Sequence, residues 1–408
     1  MTVLRGLCRA RPWSPVVLVA LLLMLLLPSA AAASGTDPLR ARQHGLELSG
    51  LADAAQAGAR ADGVVVAVID TGVDLDHPDL AGVLVPGRDF VDGDTRPDDE
   101  NGHGTHIAGV IAAVSGNGVG IAGGAPGARI MPVRVLGADG TGDPAVIADA
   151  VRWAVDHGAD VINLSLGDTG PADRLRKGGP LDLALREAAD RAVVVAAAGN
   201  DSQVERVYRA GVPAVVVEAV GPDGQLAAFS NVGDPRSVAA PGVDILSTVP
   251  GGYGRMSGTS MAAPHVAAEA ALLIGRGADP ATAREVITST AHPTDDPRLG
   301  AGLIDAAAAL QALGPHSPSA PSSASGSDSP SDHSAPSDQS ALSAPSDLPG
   351  GSATPYTPAA DSGTPDPGAG GAALLGLSLL SGAGLLTAVA LFLRRTRPGR
   401  HPRHPRHH

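Results

Sequence analysis

The sequence predicts an α/β fold in which helices cover both faces of a parallel β-sheet. Between about residues 39 and 313, short apolar runs alternate with segments of helical periodicity. The runs are apolar throughout instead of alternating with polar residues, which is typical of parallel strands buried on both faces. The chain has 408 residues, 43% of them hydrophobic, so it is long enough to build a sizeable core around such a sheet.

The predicted elements follow one another in a regular order. Buried parallel strands are predicted at residues 64–69, 128–135, 160–166, 192–198 and 214–220. Between the second and third strands, Asp143 is a predicted N-cap, Pro144 lies in the first turn, and apolar residues at helical spacing continue to Gly158. Ligands of such sheets bind beyond the carboxyl ends of the strands, so the residues that follow each strand are the first candidates for a functional site.

Two hydrophobic segments flank this region. Residues 1–33 contain three arginines, an apolar run and then small residues, which predicts a cleaved signal peptide. The apolar run is shorter than the roughly 20 residues that a helix needs to span a bilayer. Residues 371–393 carry no charge, and the arginine-rich tail at 394–408 contains no acidic residue. This pattern predicts a C-terminal transmembrane helix with a cytoplasmic basic tail.

Three segments lie between these ends. Residues 34–62 form a short N-terminal extension, and residues 63–313 form the predicted globular domain. Residues 314–370 are rich in Pro, Ser, Ala, Gly and Asp and contain few apolar residues, which predicts a disordered linker. The globular domain is therefore expected outside the cell, held at the cell membrane by a single span.

The composition excludes several kinds of chemistry. The only cysteine, Cys8, lies in the predicted signal peptide, so the mature chain would have no thiol nucleophile, thiolate-bound zinc or disulfide. The only lysine, Lys177, does not follow a glycine, so the sequence contains no Walker A loop. The formal net charge of −13 disfavours a nucleic-acid partner. We expect no organic cofactor and no nucleic acid.

Asp70 directly follows the first predicted strand. A carboxylate in this place is a nucleophile, a metal ligand or a residue that orients a base. Phosphatases of the haloacid dehalogenase type also place an aspartate here, but they need a second aspartate two residues later, and that position is Gly72. The phosphatase alternative is therefore disfavoured.

Two further clusters contain candidate catalytic groups. His103 and His106 precede a small apolar helix predicted at 107–113, where they suit either a metal site or a general base. Ser260 lies in a glycine-rich turn ahead of an alanine-rich helix, where a serine is most often only a helix cap. Taken singly, neither cluster decides between its alternatives.

Taken together, the three clusters resemble the signature motifs of the subtilases, family S8, in the segments VIDTGVDLDHPDL, NGHGTHIAG and SGTSMAAPHVA. Asp, His and Ser also occur in the chain order of the subtilisin triad. The resemblance implies a three-layer subtilisin-like sheet and serine endopeptidase activity for the domain at 63–313. It implies that Asp70 orients His103, and that His103 takes the proton of Ser260 when this serine attacks a peptide carbonyl. His106 would then be structural.

Further sites follow from the same resemblance. Asn200 resembles the side-chain donor of the family's oxyanion hole, although an asparagine after a strand is otherwise most often a turn residue. His265 would be structural. Two edge segments resemble those between which subtilases hold an extended peptide by strand addition. Their residues are Gly140, Thr141, Gly142, Ser165, Leu166 and Gly167.

A loop ahead of the second motif is rich in acidic residues. Asp89, Asp92 and Asp94 resemble the calcium loop of thermitase-like subtilases, with Asp98 as a further ligand. The resemblance implies a structural calcium ion at these oxygens. The alternative is a solvated acidic loop.

The wider architecture resembles the mycosins, membrane-anchored proteases associated with type VII secretion in actinobacteria. The resemblance rests on the combination of signal peptide, short N-terminal extension, subtilase domain, Pro/Ser-rich linker and C-terminal transmembrane helix. It implies protein or peptide substrates and type VII secretion membrane components as partners. A hypothesis from another class is a structural partner that stabilises a secretion complex and has weak or dormant protease activity.

Overall fold

The computed structural model describes residues 36–166, 179–204, 212–234 and 236–314. The predicted signal peptide, linker, transmembrane segment and basic tail lie outside these residues. Within the described ranges, no helix is both long and apolar enough to cross a bilayer.

Seven strands of the described residues form one parallel sheet. The strands are β1 (Val65–Asp70), β2 (Arg88–Asp89), β3 (Arg129–Arg134), β4 (Val161–Leu164), β5 (Val193–Ala197), β6 (Ala214–Val220) and β7 (Val238–Pro241). Their order across the sheet is β2-β3-β1-β4-β5-β6-β7. The five predicted strands are β1, β3, β4, β5 and β6, with ends that differ by at most two residues, so the predicted parallel sheet is confirmed.

A short antiparallel hairpin lies apart from this sheet. Its strands are β8 (Ile245–Val249) and β9 (Gly252–Met256). The sequence analysis did not predict this hairpin or the edge strands β2 and β7. The hairpin carries glycines within β9, and β2 has only two residues, so neither produces a long apolar run.

Helices cover both faces of the sheet. They are α1 (His44–Leu48), α2 (Leu51–Gln56), α3 (His103–Ala112), α4 (Pro144–Asp156), α5 (Pro180–Ala189), α6 (Thr259–Gly275), α7 (Pro280–Thr290) and α8 (Ala306–Leu313). One core joins α3 and α6 to the sheet, and a second core on the opposite face joins α4 and α5 to it. In β1, Val66 and Val68 enter the first core whereas Ala67 and Ile69 enter the second, which explains why the strand is apolar throughout.

The predicted cap of α4 is confirmed. Asp143 Oδ1 accepts a hydrogen bond from the backbone N–H of Ala145 at 2.8 Å, and Pro144 is the first helical residue. A proline is favourable there because its missing N–H would have had no helical acceptor.

The strand order creates a crevice beside β1. The chain passes from β1 to β3 on one side and then crosses over to β4 on the other side. Helices leave the sheet in opposite directions at such a switch point, so the loops beyond the strands separate and open a cleft. Asp70 is the last residue of β1, Ser165 follows β4, and Asn200 follows β5.

Candidate active site

The structure brings Asp70 and His103 into direct contact. Asp70 is fully buried, and its Oδ1 lies 2.7 Å from His103 Nδ1. The same oxygen accepts the backbone N–H of Thr71 at 2.8 Å. His103 is the first residue of α3, so the helix begins four residues earlier than the predicted range of 107–113. Gly102 permits this early start because its φ of 105° turns the chain sharply into the helix.

A second carboxylate, which the sequence analysis did not assign to the site, organises the start of α3. Asp99 Oδ1 accepts the hydroxyl of Thr71 at 2.8 Å and the backbone N–H of Gly102 at 2.8 Å, and its Oδ2 accepts the backbone N–H of Thr105 at 2.9 Å. Thr71 Oγ1 in turn accepts the N–H of Gly104 at 3.0 Å. Asp99 therefore ties the end of β1 to the first turn of the helix that carries the histidine.

Close backbone approach at this junction requires glycine. A Cβ atom at Gly104 would lie 2.1 Å from the carbonyl oxygen of Gly72, far inside van der Waals contact. The first turn of α3 therefore rests directly on the backbone that follows Asp70. This contact allows the imidazole of His103 to reach the carboxylate without an intervening side chain.

Ser260 lies in the first turn of α6 and is 6% exposed. The helix cap is Gly258, so Ser260 does not cap the helix, in contrast to the usual role of a serine in such a turn. Its Oγ lies 3.2 Å from the carbonyl oxygen of Ser165. Helices α3 and α6 pack against each other, so the helices that carry His103 and Ser260 are neighbours on one face of the sheet.

Asn200 contacts the same helix start. Its Oδ1 accepts the backbone N–H of Thr259 at 2.9 Å and the hydroxyl of Thr259 at 3.0 Å. A backbone N–H only donates, so the atom facing it is the amide oxygen, and the Nδ2 group lies on the opposite branch of the amide. A Cβ placed on Gly258 would lie 3.4 Å from this Nδ2. The amide N–H groups are therefore held beside the turn that contains Ser260.

The predicted substrate-binding segments follow β3 and β4, the two neighbours of β1. Gly140 and Thr141 belong to a turn in which the N–H of Gly137 donates to the carbonyl of Thr141 at 2.9 Å. Gly142 follows this turn. Ser165 and Leu166 are both buried directly after β4.

Gly167, the remaining residue of the predicted edge segments, lies outside the described residues. The two segments flank the strand that ends in Asp70 because β3 and β4 lie on either side of β1.

The two other histidines of the motifs are buried and bonded to backbone. His106 Nε2 lies 2.9 Å from the carbonyl oxygen of Ile245 on the hairpin, and burial lowers its pKa to about 3. His265 Nδ1 lies 3.0 Å from the carbonyl oxygen of Met261, and burial lowers its pKa to about 4. Both imidazoles are therefore neutral at ordinary pH, as expected of structural groups.

Arginines engage the acidic loop that precedes α3. Arg134, at the end of β3, is 5% exposed and donates to Asp89 at 2.9 Å, to Asp92 at 2.7 Å and to Glu100 at 2.8 Å. Its guanidinium group thus provides a positive charge among three carboxylates. This arrangement offsets part of the negative charge in the inner part of the loop.

The outer part of the loop is bonded in a similar way. Arg96 forms an ion pair with Asp98 at 3.1 Å, and its backbone N–H donates to Asp94 Oδ1 at 2.8 Å. Among the described residues, no group of three or more His, Cys, Asp or Glu side chains is arranged to hold a metal ion. Calcium binding at this loop stays a prediction.

Comparison with known proteins identifies the family. A buried aspartate bonded to a histidine, with a serine at the start of the neighbouring helix on a parallel sheet, is the arrangement of α/β serine hydrolases. Residues 61–316 match the model of the Subtilase family, Peptidase_S8, and the chain therefore belongs to the subtilases. Both the predicted family and its serine endopeptidase class are confirmed.

Individual relatives agree with this membership. The chain is 48% identical over 239 residues to a thermophilic serine proteinase of Bacillus sp. (strain AK1), a match that covers 56% of each chain. It is 44% identical over 236 residues to thermitase of Thermoactinomyces vulgaris, covering 57% of this chain and 82% of thermitase. The chain thus spans little more than half the length of the first relative and most of the second.

A solved structure has the same fold. It is that of a protease from Pseudoalteromonas arctica, and it matches with a TM-score of 0.59 at 34% identity. The match covers 69% of this chain and 99% of that chain. The three-layer subtilisin-like fold predicted for this chain is therefore confirmed.

Proposed function

We propose that this chain hydrolyses peptide bonds in protein substrates through Asp70, His103 and Ser260. The observation that carries the proposal is the 2.7 Å contact between Asp70 Oδ1 and His103 Nδ1. A carboxylate on Nδ1 keeps the proton on that nitrogen, so Nε2 is the basic nitrogen that accepts the serine proton. The membership of the chain in a family of serine endopeptidases supports the same reaction.

The reaction proceeds in two halves. Ser260 Oγ forms a bond to the peptide carbonyl carbon while its proton passes to His103 Nε2, and Asp70 stabilises the resulting imidazolium. His103 then protonates the amine leaving group, the C–N bond breaks, and an acyl-enzyme remains on Ser260. Water attacks the acyl carbon as His103 takes one of its protons. His103 then returns this proton to Ser260 Oγ as the bond between the acyl carbon and Oγ breaks, which releases the new carboxylic acid and regenerates the serine.

The charge that develops on the carbonyl oxygen needs hydrogen-bond donors. Asn200 Nδ2 is suited to this task because Thr259 holds the amide oxygen on the other branch. The backbone N–H of Ser260 is a second donor, since N–H groups in the first turn of a helix have no intrahelical acceptor. We expect Asn200→Ala to lower kcat by about 10²–10³-fold, the loss measured for an oxyanion-hole asparagine in a subtilisin. Gln203→Ala, on a nearby exposed side chain, is the matched control.

The nucleophile is tested by labelling with a fluorophosphonate. The purified full-length chain should be labelled, Ser289→Ala should be labelled equally, and Ser260→Ala should not be labelled. Ser289 is an exposed serine on α7 and controls for the loss of a hydroxyl. Labelling that persists in Ser260→Ala would overturn the proposed nucleophile.

The substrate is proposed to bind as an extended strand. The segment at 140–142 and the segment that begins at Ser165 provide backbone donors and acceptors on the two sides of Asp70. Binding through backbone groups gives affinity without requiring a particular side chain. Methylation of a peptide nitrogen removes its hydrogen-bond donor. In a series of peptide substrates, each methylated at one amide nitrogen, affinity should therefore fall when the methylated position pairs with one of these segments.

We further propose that the protease acts at the outer face of the cell membrane as a mycosin of a type VII secretion system. The sequence pattern of residues 1–33, 314–370, 371–393 and 394–408 supports this proposal, because it combines an export signal, a linker, an apolar span and a basic tail. Protease accessibility of the domain in intact cells, with protection of the tail, tests the topology. Full release of the chain by a carbonate wash would contradict it.

The alternative is a structural partner that stabilises a secretion complex. The two roles are separated in the native host by comparing Ser260→Ala with deletion of the chain. If proteolysis is the main role, both changes should stop substrate processing. Secretion that survives Ser260→Ala but fails in the deletion strain would favour the structural role.

Calcium at the acidic loop is a separate proposal. Asp89, Asp92, Asp94 and Asp98 supply the hard oxygen ligands that calcium prefers. The test is the thermal midpoint of the chelated chain during titration with calcium, beside the same titration with magnesium. A saturable rise specific to calcium would support a bound ion, and an unchanged midpoint would contradict the calcium proposal.

A further inference from the structure

The helix that carries Ser260 contains a proline at a critical position. Pro264 lies four residues after Ser260 inside α6. In an α-helix the carbonyl of residue i accepts the N–H of residue i+4, and proline has no N–H. The carbonyl oxygen of Ser260 is thereby deprived of its helical donor, and the ring of Pro264 crowds the same oxygen.

A side chain from the sheet takes the place of the missing donor. Ser165 Oγ donates to the carbonyl oxygen of Ser260 at 2.9 Å. Both residues are buried, at 1% and 6% exposure, so water is a poor substitute for this contact. A hydroxyl group has a single hydrogen, which Ser165 uses entirely for this bond.

The hydroxyl of Ser165 is itself oriented by Asn163. Asn163 Nδ2 donates to Ser165 Oγ at 2.9 Å, which directs the remaining lone pair and hydrogen of the hydroxyl. Asn163 is fully buried in β4, a central strand bonded to β1 and β5. The carbonyl of Ser260 is therefore tied through two side chains to the rigid centre of the sheet.

The next carbonyl of the same turn is satisfied differently. Met261 O is bonded by His265 Nδ1 at 3.0 Å, a contact within α6 itself. This contact lies within the helix and does not position the helix relative to the sheet. The bond from Ser165 connects the helix to the sheet, and the backbone oxygen of Ser165 also lies 3.2 Å from Ser260 Oγ.

We propose that the hydroxyl of Ser165 replaces the helical N–H that Pro264 lacks and so fixes the peptide group of Ser260 against the sheet. Ser165 is then a positioning residue in addition to its backbone role at the substrate cleft. It acts on the direction of Ser260 Oγ and of the Ser260 N–H, the two groups that meet the substrate carbonyl. The inference rests on the proposed nucleophilic role of Ser260.

The first test is Ser165→Ala, with Ser289→Ala as the matched control. We expect kcat to fall roughly tenfold, as for a buried acceptor left unsatisfied, with KM within about twofold of the parent value. The rate of fluorophosphonate labelling should fall in parallel. Ser165→Cys, which keeps the shape with a weaker donor, should give an intermediate kcat and serves if the alanine variant does not fold.

The decisive test restores the missing donor. Pro264→Ala gives α6 a backbone N–H that can bond the carbonyl of Ser260, so Ser165→Ala made in that background should lower kcat by less than about twofold. If the losses of the two single variants multiply instead, the replacement role is wrong. Unchanged kcat in Ser165→Ala, with labelling still abolished in Ser260→Ala, would overturn the inference while leaving the proposed function intact.

Discussion

The two helical layers of this subtilase differ in what they bury. The fully buried residues of α4 and α5 are all apolar, and charged residues such as Arg152 and Glu187 form ion pairs nearer the surface. Helices α3 and α6 bury polar groups among small apolar residues, including Thr105, His106 and Glu269. The layer that carries the candidate site thus combines apolar packing with buried polar groups.

The difference follows from what covers each layer. The outer faces of α4 and α5 meet solvent, so these helices have one polar side, as is usual for a helix packed on a sheet. Helix α3 is enclosed between the sheet and the β8–β9 hairpin, whose Ser247 and Thr248 hydroxyls donate to helix carbonyls at 2.7 Å. A polar group that is buried on every side is favoured only when it finds a partner inside the protein, because water does not reach it.

In the layer formed by α3 and α6, the largest expected effect is a change in kcat without a change in stability. Asp70→Asn should lower kcat by about 10⁴-fold, because an amide at this position favours the wrong tautomer of His103. The thermal midpoint should change little, since the shape of the buried group is kept. Asp149→Asn, on the exposed face of α4, should leave both values unchanged. A comparable kcat for Asp70→Asn and the parent chain would remove the proposed triad.

In the layer formed by α4 and α5, we expect a substitution to change stability and not kcat. Ile147 is fully buried on α4, and Ile147→Ala should lower the free energy of unfolding by about 2–5 kcal/mol through lost burial and a cavity. Denaturant unfolding measures this loss, and kcat per folded molecule should remain that of the parent chain. Val146→Ala, at a partly buried neighbour, should cost less. A selective loss of kcat in Ile147→Ala would contradict the separation of the two layers.

Glu269 sharpens the comparison because it is a fully buried carboxyl group without a hydrogen-bond partner in the described part of the chain. Burial raises its pKa well above the ordinary value of 4.5, and the charge of Asp305 adds to the shift. The folded state therefore keeps a proton that the unfolded chain releases above about pH 4.5. This group makes stability fall as the pH rises from 4.5 towards the folded-state pKa.

We expect Glu269→Met to stabilise the protein by about 1–3 kcal/mol, because it removes an unsatisfied buried polar group at similar volume. The gain should be larger at about pH 8 than at about pH 5, measured by denaturant unfolding at both values. Glu285→Gln, at an exposed position on α7, is the control. A gain that does not grow with pH would show that Glu269 is already ionised in the folded protein.

The smallest effect is expected at the solvent-exposed surface of α4 and α5. Arg152 pairs with Glu187 at 2.8 Å across α4 and α5, with both side chains partly exposed. Arg152→Ala should cost less than about 1 kcal/mol, because solvent screens the pair and ordering the side chains offsets the attraction. Thermal unfolding at low and high salt measures the change, which should shrink further at high salt. A loss comparable to that of Ile147→Ala would mean that the ion pair holds the layer together.

Much of the fold and of the candidate site depends on short stretches of sequence, and these parts could be predicted. Apolar runs identified the five central strands, and Asp143 with Pro144 identified the start of α4. The three motifs pointed to Asp70, His103 and Ser260 only through their combined resemblance to the subtilases, because each residue taken singly had other possible roles. A strand buried on both faces needs a run of apolar residues, and a helix start needs particular capping residues. Both requirements can be recognised within a few neighbouring residues of the sequence.

Other features of the site were decided only by tertiary structure. Asp99 joins β1 to α3, Arg134 joins β3 to the acidic loop, and Ser165 bonds to a carbonyl 95 residues away. Each of these side chains has several plausible partners in the sequence, and the order of strands across the sheet selects one of them. The sequence alone therefore determined which chemical groups were present. The crossover from β3 past β1 to β4 determined which of these groups came into contact. The reason is that a hydrogen bond depends on the positions of two groups in space and not on their separation along the chain.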